Sequence, residues 1–163
     1  MSFLTTTVSC YIASEMVAID GIHNGWRSLI LPLAQTDALI MRAVFSVCAS
    51  HISLNRHSET RSYTRSLASF MAQHGFSLSD PNVIFYQVIS GLQQQKNLTL
   101  CSAEQKHSAL VTILILLVGV MVNGRSDFAI ILRMLESAIN AIGGEDKLGY
   151  GTVAEFIIHQ GRK

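Results

Sequence analysis

A chain of 163 residues, 49% hydrophobic and 14% charged, is neither disordered, collagen-like nor of low complexity, since those classes need few large apolar residues or a strict repeat. Twelve Lys and Arg against eleven Asp and Glu leave a net charge of +1, which gives no long-range pull toward phosphate backbones, anionic lipids or acidic substrates. Cys10, Cys48 and Cys101 are odd in number and far apart, so neither a disulfide framework nor a zinc ribbon is indicated and a reducing compartment is expected.

Along the chain, helix punctuation recurs and hairpin signals are weak, which predicts an all-α fold. No Lys or Arg precedes Arg27, so the N-terminus lacks the positive region of a secretory signal and the arginines of a transit peptide. Trp26, standing before Arg27 and a Leu31-Pro32-Leu33 run, is read as the anchor of a helix junction. Thr36-Asp37 caps a helix with Leu39, Ile40, Ala43, Val44, Val47, Cys48 and Ile52 on one face, the spacing of a 3.6-residue period. Ser58 starts a more polar helix carrying Tyr63, Leu67, Phe70 and Met71, with Gly75 placed to end it.

Ser79-Asp80-Pro81 reads as a cap followed by a first-turn proline, opening a helix with Val83, Ile84, Val88, Ile89 and Leu92 inward and residues 93–95 (QQQ) as its exposed end. Ser102-x-x-Gln105 has the form of a capping box, and Asn123-Gly124 supplies a stop. Between them, residues 109–122 (ALVTILILLVGVMV) are apolar on every side. Fourteen residues fall short of the ~20 that span a bilayer, so this is expected to be a central buried helix, about 103–123, enclosed by others. Ser126-Asp127 caps a further helix with Phe128, Ile131, Leu132, Leu135 and Ile139 inward, and Gly143-Gly144 ends it. Thr152-x-x-Glu155 looks like another capping box, ahead of Val153, Phe156 and Ile157. The architecture expected is a multi-helix array of antiparallel helical hairpins around that central helix. One domain, 1–163, is expected, and an incomplete one, because its final helix has barely two turns.

Chemistry-bearing patterns are sparse. Cys48 and His51 share a helical face at i,i+3, but two ligands do not complete a metal site and Cys48 is read as core. No G-x-S-x-G elbow is present, and residues 143–151 (GGEDKLGYG) lack phosphate-loop spacing and carry two carboxylates. Arg56, His57, Arg61 and Arg65 form a basic cluster without interleaved stacking aromatics, read as a solvated face. No catalytic residue, cofactor or metal is expected.

The informative strings are His23-Asn24-Gly25-Trp26-Arg27 running into Leu29-Ile30-Leu31-Pro32-Leu33-Ala34, then Asp37-Ala38-Leu39-Ile40-Met41-Arg42-Ala43-Val44 and Ala49-Ser50-His51-Ile52. The helix around Tyr86, the run ending in Asn123-Gly124, and Ser126-Asp127-Phe128 follow in the same order. From about residue 24 onward the chain resembles the fungal-specific transcription factor domain, the helical regulatory region that follows a binuclear zinc cluster in many fungal activators. The resemblance rests on Trp26, Arg27, Pro32, Ala43, His51, Tyr86, Asn123, Gly124, Asp127 and Phe128 as structural or regulatory positions. The family pattern has an aromatic and an acidic residue where Gly119 and Val120 stand, and a His then a Gly-Ala pair where Ile131, Met134 and Leu135 stand. Three scattered cysteines do not supply the six thiolates of the family's zinc cluster.

The resemblance implies regulation of transcription in the nucleus, with the cytosol as the other compartment. It implies contacts with the rest of a transcription factor or with protein partners of the transcription machinery, and no catalysis. The near-neutral charge and lack of a cysteine cluster argue against DNA binding, the fourteen-residue apolar run against a membrane span, and apolar faces left unfinished by the short final helix lead to an expected self-association. The reading from another class is a small helical ligand-binding protein with a cavity beside the central helix.

Overall fold

The computed structural model describes residues 25–54, 61–77, 80–95 and 98–144. Among them the secondary structure is all helical, with no strand. A π-helical turn, Trp26–Ile30, runs directly into α1, Leu31–Thr36. The cause is Pro32 in the first turn of α1, which has no N–H to donate and whose ring crowds the carbonyl four residues back. The Leu31 N–H reaches the Trp26 carbonyl instead, five residues back, which is the π register. Trp26 lies buried at the start of this junction, among the core residues.

Asp37, in an extended conformation, breaks α1 from α2, Ala38–Leu54. Its carboxylate accepts the Leu39 and Ile40 amides at 2.8 and 3.0 Å, while the Thr36 hydroxyl turns back to the Leu33 carbonyl. The cap of α2 is therefore Asp37 alone, satisfying amides that a helix start leaves without partners. The stripe read from periodicity is too narrow. Every residue of 43–51 is buried, including Phe45, Ser46, Ala49, Ser50 and His51, while Leu39 and Ile52 are only partly covered. Helix α2 is enclosed because α1, α4 and α5 all pack against it, and periodicity reports one neighbour, not three.

Helix α3, Arg61–Gln73, is held on α2 by Leu67 and Met71 and by an aromatic cluster in which the Phe45 ring meets Phe70, His74 and Phe76 edge-on at 5.9, 5.8 and 5.6 Å. Gly75, at φ +78°, ends it as expected. Helix α4, Pro81–Gln94, begins at Asp80, whose carboxylate accepts the Asn82 amide at 2.9 Å, with proline at the first position. Ile84, Phe85, Val88 and Leu92 point inward. Val83, expected inside, is half exposed: the buried side of the helix is centred on Phe85 and Val88, and Val83 lies off its edge.

After a 3-10 turn, Leu98–Leu100, comes α5, Ala103–Val122. The capping box is complete, with the Ser102 hydroxyl accepting the Gln105 amide and the Gln105 side chain accepting the Ser102 amide. Residues 109–117 are all buried, Val118 is partly covered, and Met121 and Val122 are exposed. The helix is long and apolar enough to cross a membrane, yet 67% of its most apolar window is buried against other helices, the condition of a core helix. Each fully buried Leu, Ile or Val contributes about 1.5–3 kcal/mol before entropy is counted, so α2 and α5 together dominate the fold.

The two central helices approach closely at Gly119. A Cβ there would lie 2.6 Å from Cγ2 of Val47, so the missing side chain is what lets α5 approach α2. Helix α6, Phe128–Ile142, packs on α5 through Ile131, Leu135 and Ala138 and ends at Gly143 and Gly144, both at positive φ. Phe128, expected on this inner face, is 39% exposed, one turn ahead of the first buried position. Ser58, Arg56 and His57, and the helix read around Thr152 to Ile158, lie outside the described residues.

Candidate functional site

The corner between α5 and α6 carries a cluster of directional polar contacts. Helix α5 ends with the Gly124 amide on the Met121 carbonyl and the Arg125 amide on the Val120 carbonyl, closed by Gly124 at φ +63°. This turn projects Arg125 back across the bundle. Its Nε and Nη2 donate to Oδ2 of Asp127 at 2.9 and 2.8 Å, its Nη1 donates to Oδ1 of Asn82 at 2.6 Å, and its guanidinium lies 4.4 Å from the centre of the Phe85 ring. Arg125 thus fastens the start of α4 to the α5–α6 corner by an ion pair in which two guanidinium nitrogens share one carboxylate oxygen, a hydrogen bond and a cation–π contact.

The expectation that the Asp127 side chain caps α6 is corrected here. Its carboxylate is taken by Arg125, and the start of α6 is served by the Asp127 carbonyl, which accepts the Ile130 and Ile131 amides at 3.0 Å. Beneath the clasp, a crevice of about 10 Å³ lies between Ser46 and Ser50 of α2, Phe85, Gly119, Asn123 and Arg125. The Asn123 side-chain oxygen is buried there without a hydrogen-bond partner.

The other half of α5 borders an open groove of about 550 Å³. Leu92 and Leu98 form one wall, Ala109 and Ile113 the floor, and Met134 and Ala138 the opposite wall. Ile130 stands 54% exposed at its edge. The polar lining is Gln93, Ser137, Arg133, which donates to the Ala129 carbonyl, and Gln95, whose side-chain oxygen is buried without a partner. The size suits a small molecule or one short helix, and the lining offers shape and apolar contact without reactive groups.

Cys48 is buried within α2, and desolvation pushes its thiol up to about 12, partly offset by a backbone hydrogen bond. A thiol so raised stays protonated at physiological pH and is a poor nucleophile or metal ligand. No group of three His, Cys, Asp or Glu stands close enough to hold a metal among the described residues.

The profile of the fungal specific transcription factor domain matches residues 7–160. The chain belongs to that family. No curated protein and no solved structure matches it. A fungal specific transcription factor domain serves the regulation of transcription, and the all-helical structure agrees with the resemblance that the sequence strings carry.

The family positions are spread over the fold. Asn123, Gly124 and Asp127 meet at the α5–α6 corner, with Phe128 following them half-exposed. Tyr86 is exposed on α4, its ring 5.7 Å from that of Phe85, which the Arg125 guanidinium covers. Ala43 and His51 are buried in α2. Trp26 and Arg27, with the exposed Pro32, form the π-helical junction at the other end. Four of the five departures from the family pattern are interior: Gly119, Val120, Ile131 and Leu135 are buried or in tight contact, while Met134 is partly covered on the wall of the groove. An aromatic at Gly119 would collide with Val47, and an acidic side chain at Val120 would enter a dry interior. Arg125 and Asn82 were not legible in the sequence as site residues, and Phe85 stood only within the string around Tyr86. The available signal was an arginine between a helix-ending glycine and an aspartate two residues on.

Proposed function

We propose that the chain acts as a regulatory domain of a fungal transcription factor, working in the nucleus through contacts with the rest of such a factor or with protein partners of the transcription machinery, without reading DNA itself and without catalysis. The observation that carries this reading is the family match over residues 7–160. The near-neutral chain supports the DNA part of it, since phosphate neutralisation needs Lys and Arg in excess. The deep burial of Cys48 and the dry interior of α2 and α5 support the non-catalytic part.

The test is a fusion of the chain to a heterologous DNA-binding module in a fungal reporter strain. Transcription is expected to shift several-fold relative to the module alone, while the unfused chain gives no sequence-dependent mobility shift at physiological salt. An unchanged reporter, or a sequence-specific shift by the chain alone, refutes the corresponding half of the reading. The groove beside α5 favours a second reading, a small apolar ligand bound there. A saturable rise in melting temperature with such a ligand, lost on Ala138→Trp, would select it.

A further inference from the structure

The groove between α4, α5 and α6 offers a ligand aliphatic surface and one charge. Leu92, Leu98, Ile113, Met134 and Ala138 supply the surface, no aromatic ring stands among the described lining residues, and the polar groups Gln93, Gln95 and Ser137 are neutral. Arg133 is the one charged residue of that described lining. We propose that the groove takes a medium-length aliphatic monocarboxylate, its head group on Arg133 and its chain running toward Ala141. The inference rests on the reading of the groove as a site for a small apolar ligand and names the class of that ligand.

Three observations support this class. The first is the state of Arg133. Its Nε donates to the Ala129 carbonyl at 3.2 Å, one turn back along α6, and neither Nη1 nor Nη2 has a partner among the described residues. No described carboxylate pairs with it, Glu136 on the same helix included. A guanidinium steered by one bond, with both terminal nitrogens free, presents the fork that the two oxygens of a carboxylate accept. The second is length. Arg133 and Ala141 lie eight positions apart on α6, about 12 Å at the helical rise, close to the span of an extended octyl or decyl chain. A cavity of about 550 Å³ is also within the range that buries most of a small ligand. The third is what the lining withholds. Aliphatic walls give a heteroaromatic ligand no ring to stack on, and three neutral polar side chains are too few for the hydroxyls of a sugar. An organic ammonium finds no carboxylate there and meets the like charge of Arg133. A neutral alcohol gains the same apolar burial as the acid but leaves the fork unused, so the acid binds tighter by the worth of one exposed ion pair.

The test is titration of the full chain, isotope-labelled at its methionine methyl groups, with octanoate, n-octanol and protonated octylamine at neutral pH and low ionic strength. The Met134 methyl resonance is expected to shift saturably with octanoate, at a dissociation constant about threefold to fivefold below that for octanol. The resonance of Met41, on α2 and outside the lining, is expected to stay in place. Arg133→Gln should bring the two constants together, and Arg133→Glu should make octylamine the tightest of the three. Both substitutions fall on an exposed side chain, so the fold is retained, which the melting curve checks. Octanol binding as tightly as octanoate overturns the proposal and leaves the apolar-ligand reading standing. A Met134 resonance that none of the three moves saturably overturns both. A preference for octanoate that survives Arg133→Glu also overturns the proposal, because the carboxylate then sits elsewhere.

Discussion

The two ends of α5 solve the same problem in opposite ways. At the C-terminal end the helix stops at a glycine, and Arg125 ties the following turn to Asp127, Asn82 and Phe85 with directional contacts, leaving a crevice of about 10 Å³. Toward the N-terminal end, Ala109 and Ile113 floor an apolar groove of about 550 Å³. One end is closed by groups that accept a single geometry; the other is bounded by side chains that accept whatever apolar surface arrives. The difference teaches where this domain is fixed and where it is free to make contacts.

The largest effect is expected from carrying polarity into the closed interior. Leu114 is 2% exposed, and Leu114→Asp buries a carboxylate with no partner, a cost of several kcal/mol that exceeds much of a domain's net stability. The variant should be recovered as insoluble protein, and recovery of soluble, cooperatively melting material would show that α5 is not the enclosed centre.

Next in size is the contact between α2 and α5. Gly119→Ala places a Cβ 2.6 Å from Val47 Cγ2 and should cost about 1–3 kcal/mol in urea denaturation. Val47→Ala removes the obstacle, so the double variant should lose less than the sum of the singles. Strict additivity would mean that the helices approach elsewhere. At the clasp, Arg125→Ala should cost about 1–2 kcal/mol: the ion pair is only about a fifth exposed, but such pairs are modest and the cation–π contact adds of order 1 kcal/mol. A double-mutant cycle with Asn82→Ala should show coupling, because the two side chains share a bond across 43 residues of chain.

The interior of α2 also sets a pH dependence. The Cys48 thiol stands at about 12 in the folded chain against 9.0 ordinarily. Below pH 9 both folded and unfolded chains hold the proton and stability is unaffected. Above it the unfolded chain ionises first, so stability falls by about 1.4 kcal/mol per pH unit until the folded pKa is reached. Denaturation of the native chain and of Cys48→Ala between about pH 8 and 10 isolates this slope; parallel curves would place the thiol in contact with water.

Which of these features the sequence discloses follows from their range. Asp37, Asp80, the Ser102–Gln105 box, Gly75, Asn123-Gly124 and Gly143-Gly144 mark helix ends through bonds within a few residues, and all act as read. The enclosure of residues 109–117 was also legible, because a helix apolar on all sides belongs in a core or a bilayer and an apolar run of fourteen residues falls short of the ~20 a bilayer needs. The equal enclosure of α2 was not, since Ser46, Ser50 and His51 interrupt its pattern with groups that the interior nonetheless accommodates. Gly119 looked like one more residue in an apolar run, and only the position of Val47, 72 residues away, gives it meaning. Asp127 was legible as a helix start but not as the partner of Arg125, because competition between a cap and an ion pair is decided by where the arginine points. A cavity beside the central helix was expected only as a general alternative; the residues that wall the groove were not legible, because they come from three helices and a turn, each with an ordinary apolar face.

The smallest effect on stability should come from the open end. Ile130 is 54% exposed at the edge of the groove, so Ile130→Asp removes little buried area and should change the unfolding free energy by no more than about 0.5 kcal/mol. Its consequence lies in binding. A carboxylate on the groove wall must be desolvated by any apolar surface that docks there, so a contact made through the groove should weaken several-fold or more while the fold is untouched. The same charge placed at Leu114, on the closed side of α5, would destroy the fold before any contact could be measured. Measuring Ile130→Asp in both urea denaturation and the reporter fusion therefore separates the two ends. If reporter output falls while stability holds, the groove is part of the regulatory contact surface. If both hold, the regulatory contacts lie elsewhere. If stability falls as far as at Leu114, the groove wall is itself core, and the contrast between the two ends of the helix fails.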